Sequence, residues 1–504
     1  MLAKKLNDMY DVLVIGGGIN GTGVAADAAG RGLSVLLCEK NDLASGTSST
    51  SSKLIHGGLR YLEQYDFKLV RESLKEREIL LEQAPHLVHP IQFILPHHPN
   101  LRSAWLIRMG LFCYDILSGR TKLPRSKALN LGTNLNEDPL NLSLKKGFSY
   151  YDCKVNDARL VVTNAIRAKE KGATILTRTC VINAQRSNNR WQVKLRDIIT
   201  NETFTVFSKT LINASGPWID SVNDSVLKTN SSYRVKLVQG SHIVVPQLYK
   251  GHQGYLLQNK DGRIIFVIPY HSQFTMIGTT DEPFSGNPKD AHISANEIKY
   301  LLDSVNNYFH HPIKSSQIIS HWSGVRALLD SSHGGLSSLS REYKIECIEQ
   351  GHNAPLINIF GGKITTYRAL AEKVLNQLST YFPKLGSSWT SSTALPGGDL
   401  GMTFEQFDHQ LAHEFPYLPP LVRKRYANHY GTRCYLFLKG TQSLSDLGQA
   451  FSPHLYEAEV NYLVKEEWAR TVDDIVERRT QLGLVLAESQ KRALHLWLTK
   501  HNVS

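Results

Sequence analysis

Three groups of residues in this chain have the types and spacing to carry chemistry. The first is Gly16-Gly17-Gly18-Ile19-Asn20-Gly21, a GxGxxG run directly behind the apolar stretch Asp11 to Ile15. Gly16 can make a tight turn, Gly18 lets backbone approach a pyrophosphate, and Gly21 lets the next helix pack closely on the strand. The N–H groups that open that helix, at Ile19 and Asn20, are then available to an anion. Glu39, 18 residues after Gly21, ends the following strand next to Lys40. Its carboxylate can accept hydrogen bonds from both hydroxyls of an adenine ribose and would repel a 2′-phosphate. The second group is Ser51-Ser52-Lys53-Leu54-Ile55-His56-Gly57-Gly58-Leu59-Arg60-Tyr61-Leu62, which combines small hydroxyl donors, two glycines and a guanidinium beside a phenol. The third is a pair of cations close behind glycines: Arg326 in Ser323-Gly324-Val325-Arg326, and Lys363 after Gly361-Gly362. Nucleotide binding by the first group leaves some other part of the chain to supply the redox partner or substrate.

These groups need elements to position them. The glycine run sits in a βαβ unit: strand Asp11 to Ile15, an alanine-rich helix Ile19 to Arg31, and strand Ser34 to Glu39. A Ser/Thr-rich loop, Ser45 to Ser52, follows, and then an amphipathic helix Phe67 to Gln83 that stops before Pro85. A helix near Val155 to Lys171 leads into Ala173 to Leu176. Alternating stretches (Trp191 to Leu195, Phe204 to Ile212, His242 to Val245, Arg263 to Ile268, Phe274 to Ile277) make residues from about 185 to 350 sheet-rich. Ile357 to Phe360 reads as a buried strand feeding Gly361-Gly362-Lys363. Beyond Leu395-Pro396-Gly397-Gly398 the pattern is mostly helical, with helices expected around Tyr456 to Arg470, Val472 to Thr480 and Ala487 to Thr499. A boundary is therefore expected near residue 388. One such fingerprint in 504 residues binds one dinucleotide, and its N-terminal place ahead of a long sheet-rich region favours FAD over NAD by analogy of layout.

Composition narrows the class. With 41% hydrophobic, 20% charged and 9% aromatic residues the chain is an ordinary globular protein of more than one domain, not a disordered, collagen-like or disulfide-stapled one. The six cysteines lie far apart with no CxxC pair, and His97-His98 and His310-His311 lack ligand spacing, so no metal is expected and the thiols suit a reducing cytoplasm. Met1 to Asp11 holds Lys4 and Lys5 but no signal-peptide core, and no stretch reaches the roughly 18 apolar residues of a spanning helix. The formal charge is +12, and residues 391 to 504 contribute −1 of it. The densest basic segment runs from Leu101 to Lys127, where Arg102, Arg108, Arg120, Lys122, Arg125 and Lys127 face one acid, Asp115. The apolar residues Trp105 to Leu117 among them suit either a helix on an anionic bilayer surface or a buried helix with basic ends.

Taken with DARL at 157 to 160, NASGPW at 213 to 218, GSHIVVP at 240 to 246, IGTTD at 277 to 281 and FGGKITTYR at 360 to 368, the first and second groups closely resemble the aerobic, FAD-dependent glycerol-3-phosphate dehydrogenase family, in its bacterial respiratory form. The likeness runs along essentially the whole chain. It implies an α/β fold: a Rossmann-like FAD-binding domain of D-amino-acid-oxidase type, a sheet-rich substrate domain and a C-terminal α-helical cap domain. The implied division gives 1 to 388 to the oxidoreductase region, with FAD-binding parts at about 1 to 90, 150 to 235 and 340 to 388 and substrate-binding parts at about 91 to 149 and 236 to 339. The cap takes 389 to 504.

The implied reaction is oxidation of sn-glycerol 3-phosphate to dihydroxyacetone phosphate, with hydride leaving C2 for flavin N5 and electrons passing to membrane quinone. The implied setting is the cytoplasm, peripheral to the anionic cytoplasmic face of the inner membrane, as a homodimer and without nucleic acid. Arg60, Arg326 and Lys363 occupy the family's substrate-binding positions, with Tyr61 as a hydroxyl donor, and guanidinium suits a phosphate dianion. His242 is the first candidate for the base that removes the hydroxyl proton, since imidazole titrates near neutrality; the bland alternative is a hydrogen-bonded core histidine. Arg326 is the other candidate, as a cation beside the developing alkoxide. Ser51, Ser52, His56, Gly57 and Gly58 match the flavin-contacting loop, and the N–H groups of Gly362, Lys363, Ile364 and Thr365 suit negative charge on reduced flavin. Two positions depart from the family pattern: Ala327 stands where proline is usual, and Ser215 where threonine is. Two rival readings stay open, a glycerol-3-phosphate oxidase that makes peroxide and a flavin-containing nucleic-acid-binding protein suggested by the net charge.

Overall fold

The computed structural model describes residues 7–98, 101–132, 139–330, 342–349, 354–501 and 503; Lys4 and Lys5 lie outside them. The elements that carry the site are, in chain order, β1 (Met9–Ile15), α1 (Ile19–Gly30), β2 (Val35–Cys38), α2 (Phe67–Gln83), α3 (Ala104–Leu117), α4 (Asp157–Glu170) and β3 (Thr203–Asn213). They are followed by β4 (Val235–Pro246), β5 (Phe274–Gly278), β6 (Ser320–Leu329), β7 (Leu356–Phe360) and α5 (Tyr367–Gln377). The fold is α/β, as expected, with two large sheets and a helical C-terminal part.

In the first sheet β1 lies between β2 and β3, all parallel, and β7 extends the parallel set beyond β3. Because crossover helices cover such a sheet, both faces of β1 are apolar. Val12 and Val14 pack with Val24, Ala25 and Ala28 of α1, while Leu13 and Ile15 pack with Leu36, Leu211 and Trp191 on the other side. The long apolar stretch 185 to 350 divides between two sheets. Arg190–Asp197 pairs antiparallel with β3 and so belongs to the first sheet, whereas β4, β5 and β6 lie in the second. Strand alternation marks a half-buried strand but carries no label for its sheet, so the sequence merges what the structure separates.

The second sheet is covered on one face by Ala295–Asn306, through Leu301, Leu302 and Val305, and on the other by α2 and α3. Helix α2 begins and ends where the sequence places it. The Asp66 carboxylate accepts the Leu69 N–H at 3.0 Å as an N-cap, and Pro85 follows the last turn.

Helix α3 joins features of both readings that the sequence leaves open. Its buried stripe is narrow, Ile107, Leu111 and Tyr114 at helical spacing, while Trp105 (69% exposed), Leu106, Met109, Phe112 and Ile116 (60%) form a second apolar stripe turned to the outside. Two stripes on opposite sides read in sequence as a helix apolar all round, which is why burial looked equally suitable. Among the described residues no helix is long and apolar enough to cross a membrane.

The C-terminal helices build a core of their own around Leu411, Tyr426, Tyr430 and Leu463. The segment expected as the helix Val472 to Thr480 is a wider π-type turn over Asp474–Arg479. Charge pairs bind this part to the first sheet. Asp42, three residues past Glu39, accepts from Arg478 Nε at 2.6 Å and from both Arg479 Nη atoms at 2.8 Å, and Arg178 bridges Asp42 to Asp474. Nearby, the buried Arg159 holds Glu467 through both Nη atoms and donates to the His429 carbonyl at 3.0 Å.

Candidate active site

A cavity of about 490 Å³ is lined by the end of β1, the Ser/Thr loop and residues of the second sheet. Directly after β1 lies the glycine run. Gly21 is demanded by contact, because a Cβ there would stand 1.9 Å from the Gly16 carbonyl oxygen; it seats α1 against the turn and is not itself on the cavity wall. Gly16, Gly18, Ile19 and Asn20 are on that wall. The Asn20 amide donates to the Gly361 carbonyl at 3.0 Å, tying the opening of α1 to the turn before α5, and leaves its buried Oδ1 without a protein partner.

Glu39 also faces the cavity. Its oxygens accept the Gly17 N–H at 2.7 Å and the Asn41 N–H at 2.8 Å. Burial pushes its pKa up despite these donors, and a carboxylate so placed still has lone pairs for further hydroxyl donors. Lys40 lies 4.5 Å over the Trp218 ring, and Trp218 donates to Asn287 Oδ1 at 3.3 Å. The cavity wall around Glu39 is thereby framed by side chains from three separate stretches. The cradle fits a dinucleotide: a helix entry, a buried acceptor and an unpartnered amide oxygen converge on one elongated cavity.

The Ser/Thr loop forms the middle of the wall. Ser51 Oγ donates to Asp157 Oδ2 at 2.7 Å and Lys53 Nζ to Asp157 Oδ1 at 2.8 Å, so the first residue of α4, the Asp of DARL, anchors the loop. Ser52, His56 and Gly58 line the cavity. Gly57 lies behind them, its N–H donating to the Tyr114 hydroxyl at 2.9 Å. Thr365 supports the wall too, its Oγ1 accepting the His56 N–H at 3.2 Å. Gly58 has φ +81°, and a Cβ there would lie 2.1 Å from the Tyr61 ring, so glycine is what lets the phenol fold back against the loop.

Arg60, Tyr61, Arg326, Gly362, Lys363 and Ile364 complete the lining. The Lys363 ammonium stands 3.7 Å above the Tyr61 ring, a cation–π contact. Arg326 Nη2 donates to Thr279 Oγ1 at 2.9 Å and Nη1 to the Asp281 carboxylate. The loop order of the sequence thus becomes one cluster of three cations drawn from residues 60, 326 and 363.

His242 is placed differently from its neighbours in that cluster. It is buried on β4, stacked on Trp322 at 5.3 Å and 20°, and does not line the cavity. Its Nε2 meets Ser52 Oγ at 3.0 Å, and it is Ser52 that faces inward. Burial first, then the charges of Arg326 and Lys53, hold its pKa well below the ordinary imidazole range, so the ring is neutral at pH 7.

Sequence reasoning missed Ser48, whose Oγ accepts the Ile19 N–H at 3.0 Å, and Asp281. Both lay within quoted or noted stretches, the Ser/Thr loop and IGTTD, but a serine among serines and a lone aspartate announce nothing until the cations appear beside them.

Fold and cavity together define a flavin-dependent oxidoreductase. Residues 11–368 match the FAD dependent oxidoreductase family, and residues 388–497 match the C-terminal domain of alpha-glycerophosphate oxidase. A glycerol-3-phosphate dehydrogenase of Pseudomonas aeruginosa is 48% identical over 496 residues, 98% of this chain and 96% of that protein. A D-erythritol 1-phosphate dehydrogenase of Brucella abortus is 47% identical over 494 residues, 98% of each chain. The solved structure of a glycerol-3-phosphate dehydrogenase from Bacillus halodurans complexed with FAD is similar at TM-score 0.80 and 27% identity, covering 99% of this chain and 92% of that one. The chain belongs to the bacterial FAD-dependent glycerol-3-phosphate dehydrogenase family, and FAD is its cofactor.

Proposed function

We propose that the protein oxidises sn-glycerol 3-phosphate to dihydroxyacetone phosphate and delivers the electrons to quinone at the cytoplasmic face of a membrane. The observation that carries this reading is that Arg60, Arg326 and Lys363 line one cavity together with Glu39 and the opening of α1. A phosphomonoester dianion calls for several fixed cations, and a short polyol reaching from them extends toward the middle of the wall. FAD, when bound along the cavity, supplies an acceptor for the C2 hydride.

The chain's own residues do the rest. Arg60, Arg326 and Lys363 grip the phosphate, with Tyr61 as a hydroxyl donor. Ser52 accepts the C2 hydroxyl proton as its own proton passes to His242 Nε2, which is neutral and 3.0 Å away. Arg326 lowers the cost of negative charge on that oxygen. The N–H groups of Gly362 to Thr365, at the entry to α5, would hold negative charge on a reduced flavin. The outer stripe of α3, with Arg120, Arg125 and Lys127 exposed close by, supports seating on an anionic bilayer. Basic residues bordering an exposed apolar helix favour lipid over nucleic acid.

The test is the flavin spectrum of the purified protein under anaerobic conditions. Addition of glycerol 3-phosphate should bleach the visible flavin band, and a quinone analogue should restore it with little peroxide; a yellow protein that fails to bleach refutes the substrate, and stoichiometric peroxide without quinone reduction turns the reading to an oxidase. The relative named for D-erythritol 1-phosphate matches almost as well, so the four-carbon polyol phosphate belongs in the same titration.

A further inference from the structure

We propose that Asp281 is a built-in counter-anion of the phosphate cradle, occupying it between turnovers and competing with every phosphate that enters. The inference rests on the reading above that this cluster receives a phosphate.

The geometry is that of one carboxylate shared between two arginines. Asp281 Oδ1 accepts from Arg326 Nη1, and Oδ2 lies 3.9 Å from Arg60 Nη1. Both Arg326 and Asp281 are 23% exposed on their side chains and line the cavity, so an entering anion reaches them directly. The rest of the guanidinium is fixed from behind: Nη2 donates to Thr279 Oγ1 at 2.9 Å, and a Cβ on Gly240 would lie 2.5 Å from that same nitrogen. Arg326 is thus held at both terminal nitrogens, by Thr279 and by Asp281. The anion has to come to it, at the place Asp281 already holds.

Carboxylate and phosphate oxygens present similar acceptor edges to a guanidinium, and each suits the same fork of N–H donors. A phosphate dianion that takes Arg60 and Arg326 must displace Asp281 from at least one of them or approach against its charge. The contact to Arg60, the longer of the two, is the one that yields first. Substrate, product and inorganic phosphate meet the same opposition, so Asp281 weakens phosphate binding uniformly. Uniform weakening leaves the chemical step untouched and helps the product leave. Without it, three fixed cations would retain any phosphate, including product that has already reacted.

The experiment measures inorganic phosphate binding to the oxidised holoenzyme by the difference spectrum of its flavin, which needs no turnover. Asp281→Asn should bind inorganic phosphate about tenfold more tightly than the native protein, with product inhibition by dihydroxyacetone phosphate strengthened in parallel, and the gain should shrink at high ionic strength. Asp281→Glu, which keeps the charge, should return the affinity toward native. Phosphate binding unchanged or weakened in Asp281→Asn overturns the proposal and leaves Asp281 as a residue that only orients Arg326. Should the amide variant fail to retain flavin, Asp281→Ser carries the same comparison. Failure of glycerol 3-phosphate to bleach the native flavin, with phosphate affinity still raised in the variant, would sink the substrate assignment while the counter-anion stands. Normal bleaching with unaltered phosphate affinity sinks the counter-anion alone.

Discussion

In the pair Ser52 and His242, the base proposed above is a neutral imidazole kept close to the cavity without lining it. His242 is buried, faces two positive charges, and passes its influence into the cavity through one hydroxyl at 3.0 Å. Replacing His242 with Asn should lower kcat by about 10²- to 10⁴-fold, the usual loss for a general base, while flavin content and inorganic phosphate affinity stay near native. Ser52→Ala should lose most of the same factor, and the double variant little more, because the two act in series. Since His242 titrates below the ordinary imidazole value of about 6.5, protonation stops turnover only on the acid side of that value, and the acid limb of kcat should vanish in His242→Asn. Much of this was legible in the chain. The glycine run and Glu39 stand out by type and spacing, and the resemblance to the family picks out Arg60, Arg326 and Lys363, all of which line one cavity except the glycines Gly17 and Gly21. What was not legible is that His242 stands behind Ser52, because 190 residues separate them and only the pairing of β4 with its neighbours fixes the distance.

At the scale of elements, α3 is where the sequence leaves two readings open and the structure shows part of each. Helical spacing puts Trp105, Met109, Phe112 and Ile116 on the side opposite Ile107, Leu111 and Tyr114, and the sequence could not say which side the core would claim. Packing against Phe93, Phe148 and Tyr150 claims the second. Substituting Trp105, Phe112 and Ile116 with Gln removes exposed side chains only, so unfolding temperature should change little, while binding to vesicles containing anionic lipid falls at least tenfold in a flotation assay. Vesicle binding equal to native would move the membrane contact elsewhere. By contrast α2 was readable to the residue, because an Asp cap and a following proline are local signals that need no tertiary partner.

At the scale of the whole molecule, the join between the first sheet and the C-terminal helices is both charged and sensitive to acid. His86 is buried with neither ring nitrogen hydrogen-bonded, and burial, then Arg159, lowers its pKa to about 3. His429 is likewise held well below the usual value by burial and by Arg425 and Arg159. Below about pH 6.5 the unfolded chain takes up protons that these folded rings refuse, so stability is full above that pH and falls by about 1.4 kcal/mol per pH unit for His86 as pH drops toward 4, with His429 acting in the same direction. Thermal unfolding of the holoenzyme between pH 7.5 and 5 should show this loss, and His86→Leu should flatten it; an unchanged slope in that variant would remove His86 from the account. The charged side of the same join bears on how the protein is made. The loop that follows Glu39 is held through Asp42 by Arg478 and Arg479, which come 436 and 437 residues later in the chain. A ribosome therefore completes the nucleotide fingerprint long before it supplies the residues that brace the loop behind Glu39, and that loop gains these charged anchors only in the finished polypeptide.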